Sequence, residues 1–85
     1  MRAEVEAEVR EWLGGLLGIL GESLELQLEE RPGEVLADLQ GVETFSGEDQ
    51  ETLRALSYFL ELRLRRRLKE RLRVQIDVDG YRSRR

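Results

Sequence analysis

Three short stretches alternate apolar and polar residues at the period of a strand, and each has a single apolar side. Ser23 to Glu29 places leucines at 24, 26 and 28 between polar neighbours. Val35, Ala37 and Leu39 alternate with Leu36, Asp38 and Gln40. Val74, Ile76 and Val78 alternate with Gln75 and Asp77 before Gly80. Between the first two stretches lies Arg31-Pro32-Gly33-Glu34. Proline fixes φ at the second turn position and glycine accepts φ > 0 at the third, which predicts a type II turn closing a hairpin. A small sheet with one dry face must have that face covered, and only the rest of this chain is at hand to do it.

Two stretches have the helical period that such a cover needs. Val5, Val9, Trp12, Leu13, Leu16, Leu17 and Leu20 recur at steps of three and four. This first helix is expected to stop near Leu17, because Gly14, Gly15, Gly18 and Gly21 each cost roughly 1 kcal/mol against alanine. Trp12 is read as a core residue. The second helix is expected from about Asp49 to about Lys69, with Leu53, Leu56, Leu60 and Leu64 as its apolar stripe and Ala55, Phe59 and Leu62 widening it. Glu48, Asp49 and Glu51 lie where carboxylates suit the positive end of the helix dipole and can cap free N–H groups. Arg65, Arg66, Arg67, Lys69 and Arg71 lie where cations suit the other end. In the connector 42–46, Phe45 is read as turned inward. The fold class predicted is α+β: a two-layer sandwich in which two helices cover one face of a three-stranded sheet, in the order α-β-β-α-β.

The composition narrows function by exclusion. The chain of 85 residues has no His and no Cys, so the commonest general base, the commonest metal ligand and all thiolate chemistry are missing. Glu48 and Asp49 are adjacent carboxylates without a nucleophile or a partner of opposed pKa, and helix capping explains them better than catalysis or a metal site with Glu51. We therefore expect no enzyme, no cofactor and no metal. No apolar run approaches the ~20 residues of a membrane span. The acidic N-terminus does not read as a signal peptide, and a cytoplasmic protein is the expectation. The net charge of −4 conceals a strong polarity. Residues 1–51 hold three basic and fourteen acidic side chains, a balance of −11, whereas residues 52–85 hold eleven basic and four acidic, a balance of +7. Either the halves neutralise each other across the fold, or the basic half has an anionic partner.

Two motifs carry a family likeness. Gly47-Glu48-Asp49-Gln50-Glu51-Thr52-Leu53-Arg54-Ala55-Leu56-Ser57-Tyr58-Phe59 is similar to a helix entry of the form Gly-x-x-Gly-Glu-Thr-Leu-x-Ala-Leu-x-Tyr-Leu. Leu72 to Arg85 is similar to a last strand and tail of the form Val-Arg-Val-x-Leu-Asp-Val-x-Gly-Tyr-Arg-x-Arg-Arg. With the order of elements, these resemble a type II (prokaryotic) KH domain, and more narrowly that of the bacterial Jag (SpoIIIJ-associated, KhpB-type) proteins. The resemblance implies a KH-like domain over 1–80. It makes 81–85 a basic tail, or the start of a linker to a domain with an Arg-x-x-x-His motif that is absent here. It also implies single-stranded RNA as partner, with a Gly-x-x-Gly loop clamping the sugar–phosphate backbone. Carried over by position, the contacts would fall on Gly47, Glu48, Asp49, Gln50, Thr52 and Arg54, with Arg82 and Arg84 of the tail. This chain departs from the pattern where Gln50 replaces the second glycine and Glu48 and Asp49 replace basic residues. Unit charges 4 Å apart at an effective dielectric of ~20 interact by roughly 4 kcal/mol, so an acidic loop weakens a phosphate clamp.

Two functions thus stand side by side. One is RNA binding by a weakened KH-type module. The other is a protein-interaction or scaffold module on a degenerate KH fold, including self-association. Tyr58 and Phe59 are expected to pack inside, which leaves the first without an exposed aromatic pair for base stacking.

Overall fold

The computed structural model describes residues 1–22, 25–43, 46 and 48–81. Its elements are α1 (Ala3–Ile19), β1 (Leu26–Arg31), β2 (Glu34–Leu39), α2 (Gln50–Leu68) and β3 (Arg73–Val78). The order α-β-β-α-β is the expected one, an α+β fold compatible with the KH-like arrangement. The sheet runs β1-β2-β3, with β1 antiparallel and β3 parallel to the central β2. A parallel neighbour requires a crossover, and α2 supplies it.

Register divides the strands into two faces. Leu26, Leu39 and Val78 lie side by side, followed by Leu28, Ala37 and Ile76, then Glu30, Val35 and Val74. This face meets the helices. Val5, Val9, Leu13 and Leu17 of α1 and Leu53, Leu60 and Leu64 of α2 are fully buried against it. The opposite face carries Gln27, Asp38 and Asp77, then Glu29, Leu36 and Gln75, then Arg31, Glu34 and Arg73, and no helix among the described residues covers it. The alternation read from the sequence is thus the partition between core and solvent.

Local chemistry sets the boundaries. The hairpin turns at Pro32-Gly33, with Gly33 at φ 73°, as the sequence requires. α1 continues to Ile19, two residues beyond the expected stop. Gly15 and Gly18 border open space, and the burial of Leu13 and Leu17 outweighs the glycine cost. The helix ends when Gly21 takes φ 79°; its N–H donates to the Gly18 carbonyl (3.1 Å) and the Glu22 N–H to the Leu17 carbonyl (2.8 Å). Those two bonds are the Schellman closure of a helix C-terminus. Trp12 is half-buried and packs on the margin of the core rather than within it. β1 runs on to Arg31; Ser23 and Leu24, expected at its start, lie outside the described residues, as does Phe45.

Arg2, the N-cap residue of α1, ties β1 to the α2–β3 connection at one end of the sheet. Its backbone N–H and its Nε donate to Glu30 (3.0 and 2.8 Å), and its Nη1 donates to both carboxylate oxygens of Glu70 (2.7 Å). Hydrogen bonding to Arg2 holds the Glu30 carboxyl below its usual range.

Candidate nucleic-acid interface

The turn that leads into α2 is bonded to itself. The Ser46 N–H donates to Asp49 Oδ2 (2.7 Å) and the Glu48 N–H to Ser46 Oγ (3.2 Å). The Asp49 N–H donates to the Ser46 carbonyl and the Gln50 N–H to that of Glu48 (3.1 and 2.8 Å). This corrects one expectation. Asp49 occupies the N-cap position, but its carboxylate makes no cap hydrogen bond and reaches back to Ser46 instead. Four N–H groups that could have faced a phosphate are satisfied within the turn. Glu48 and Asp49 are exposed beside it. Gly47, Arg82 and Arg84 lie outside the described residues. Thr52 and Arg54 are exposed on the first turns of α2, and Gln50 is half-buried.

A second correction concerns α2 itself. Its inward line runs Leu53, Ser57, Leu60, Leu64, so the buried phase falls on Ser57 and not on the aromatics beside it. Each residue turns the helix by 100°, which carries Phe59 one step and Tyr58 two steps away from Leu60. Tyr58 is 58% and Phe59 56% exposed. Their rings form a tilted pair with centroids 5.8 Å apart and planes at 58°. Ala55 is exposed and Leu62 half-buried alongside them. The signal that marks this face is the spacing Ala55, Tyr58, Phe59, Leu62 at i, i+3, i+4, i+7, a second apolar stripe on one helix. Two stripes cannot both face the same sheet, and Ser57 marks which one yields.

The basic cluster of α2 also divides. Arg63 and Arg67 point toward α1, where their Nε groups donate to Glu8 (3.0 and 2.8 Å), and Arg63 lies 3.9 Å from Glu11. The bond from Arg67, followed by that from Arg63, holds the Glu8 carboxyl below its usual range against the opposing effect of burial. Arg54, Arg65, Arg66 and Lys69 have no ion pair among the described residues. All four are exposed. Arg54, Tyr58, Leu62 and Arg65 follow one another at steps of three and four, and Phe59 and Arg66 lie one residue further round, so these cations and the aromatic pair share the outward side of the helix; Lys69 follows the last turn in the left-handed conformation, at φ 60°.

The uncovered sheet face is a different surface. A shallow depression of ≈ 500 Å³ there is lined by residues that include Gln27, Leu36, Asp38 and Asp77. Its carboxylates repel phosphate. Among the described residues no group of three or more acidic, His or Cys side chains could hold a metal ion, and no helix is long and apolar enough to cross a membrane. No protein-family model matches the chain, and no curated protein matches it.

Proposed function

We propose that this chain is a single-stranded nucleic-acid-binding module, with RNA as its target, and that it binds along the outward side of α2. The observation that carries the reading is the exposed Tyr58–Phe59 pair framed by the unpaired cations Arg54, Arg65, Arg66 and Lys69. Aromatic faces stack bases of any sequence, and neighbouring arginines neutralise the phosphates between them. The KH likeness supports the same ligand class but places it on the loop. The self-bonded acidic turn disfavours that location and leaves the helix face as the better one. A strand lying there is kept away from Glu48 and Asp49 by their charge.

The test is a titration of the chain with a short fluorescent single-stranded RNA at two salt concentrations. Three or four phosphate contacts give a slope of log K against log salt of roughly −2 to −3, at about 0.7 per contact. Replacing Tyr58 and Phe59 together by alanine weakens binding by about 1–3 kcal/mol per stacked base. Absence of binding at low salt removes the reading. The spacing of Ala55, Tyr58, Phe59 and Leu62 favours one other function, the docking of an acidic protein surface on the same stripe. Binding that survives the loss of the RNA signal, and that needs Leu62 as much as Tyr58, would mark that alternative.

A further inference from the structure

The two outer edges of the sheet are treated differently. On β3 the bonds from the Arg73 N–H to the Gly33 carbonyl and from the Asp79 N–H to the Leu39 carbonyl turn the odd-numbered residues toward β2. Val74, Ile76 and Val78 therefore direct their N–H groups outward. Carboxylates accept two of these: Glu61 Oε2 takes the Val74 N–H (3.0 Å) and Asp77 Oδ1 takes that of Val78 (2.9 Å). Two of three outward N–H groups so occupied blunt this edge against adding another strand. On β1 the Gln40 N–H donates to the Glu25 carbonyl (2.9 Å), which fixes the alternation: Gln27, Glu29 and Arg31 bond to β2, and Leu26, Leu28 and Glu30 direct their backbone groups outward. None of these three N–H groups has an acceptor among the described residues. Leu28, at the centre of that edge, is only half-buried.

We infer that the outer edge of β1 is a self-association surface, which pairs antiparallel with β1 of a second copy about a two-fold axis through Leu28. Charge selects both the partner and the register. With the axis at Leu28, Arg31 of each copy stands opposite Glu25 of the other, Gln27 stands opposite Glu29, and Leu28 meets its own image. All of the outward N–H groups then find carbonyl partners. Moving the axis to Gln27 sets Glu25 against Glu29, and moving it to Glu29 sets that carboxylate against itself. Like charges directly opposed across strands are destabilising. The pairing is isologous, so it closes as a dimer and does not run on as a fibre. It joins two three-stranded sheets into one. α2 packs on β3, at the far edge, so the dimer leaves both outward helix faces open. The inference therefore stands whether or not those faces bind RNA.

An interface of one short strand lies at the small end of the specific range, so the dimer is expected to dissociate on the order of micromolar to tens of micromolar. The test is sedimentation equilibrium over a concentration series from ~1 μM to ~1 mM, without nucleic acid, on the unaltered chain and on Glu25→Arg, Arg31→Glu and the double exchange. Glu25 and Arg31 are exposed, so the fold tolerates these changes. Each single exchange opposes like charges at two symmetric places and is expected to weaken the dimer by about tenfold or more, and the double exchange restores it. In parallel, amide exchange at Leu26, Leu28 and Glu30 slows as concentration rises, while that at Ile76 does not change. A chain that stays monomeric throughout, a dimer indifferent to the single exchanges, or a double exchange that fails to recover would overturn the inference.

Discussion

The arginines of α2 form two groups that differ in what they do, although they interleave in the sequence. Arg63 and Arg67 are held by Glu8 of α1 and fasten one helix to the other. Arg54, Arg65 and Arg66 face solvent without a carboxylate partner among the described residues. A rotation of about 100–200° about the helix axis, and not any difference in chemistry, separates a structural cation from one available to a ligand. The same holds for two adjacent large residues: Leu60 is fully buried, and Phe59 next to it is 56% exposed.

The contrast at 59 and 60 gives the largest expected effect. Leu60→Ala opens a cavity between α2 and the sheet and is expected to destabilise the chain by about 2–5 kcal/mol. Phe59→Ala is expected to stay within about 1 kcal/mol, as for a surface position. Urea unfolding of the two variants checks this, and comparable losses would place Phe59 in the core after all.

The arginine groups come next. Arg65→Ala with Arg66→Ala should leave the unfolding midpoint in place and reduce the salt slope of RNA binding by roughly 1.4, at about 0.7 per lost contact. Arg63→Ala with Arg67→Ala should do the reverse, lowering the midpoint because the Glu8 carboxylate is left without its partners, while the salt slope is preserved. If both pairs alter the slope equally, the two groups are one.

Acid titration of stability gives the smallest effect. Glu8 and Glu30 have carboxyls lowered from the ordinary 4.5 by their arginine partners. A group whose folded pKa is depressed contributes stability that is fully present above its unfolded pKa, and that contribution is lost as pH falls through the folded value. Stability should therefore be flat toward neutrality and should fall below about pH 4.5. Glu8→Gln and Glu30→Gln should each flatten that acid limb, as followed by thermal unfolding at several pH values. An unchanged limb in both variants would mean that these ion pairs form equally in the unfolded chain.

Much of this architecture was legible in the residues. The alternation of Val35, Ala37 and Leu39 and of Val74, Ile76 and Val78 identified strands with one dry face, and Pro32-Gly33 identified the hairpin. The leucine spacing identified α2 as a helix, and the carboxylates before it and cations after it located each end to within a residue. The candidate site was less legible. The loop likeness drew attention to Glu48, Asp49 and Gln50, whereas the self-bonded turn around Ser46 leaves little of that loop free. By sequence alone Tyr58 and Phe59 read as inward, because large apolar rings on an amphipathic helix pack when they can. Ser57 sat in the sequence as the contrary sign, since a small polar residue in phase with Leu53, Leu60 and Leu64 fits an inward line only if its larger neighbours lie outside it.

By itself the sequence determined which segments are helical and which extended, where they turn, and which side of each strand is dry, because these follow from local φ/ψ preferences and from the two hydrophobic periods. The tertiary structure decided which of two apolar stripes on α2 meets the sheet, which arginines find Glu8, and which strand edge remains open. Those outcomes depend on how far apart in space two distant segments come to rest, and no spacing along the chain encodes that distance.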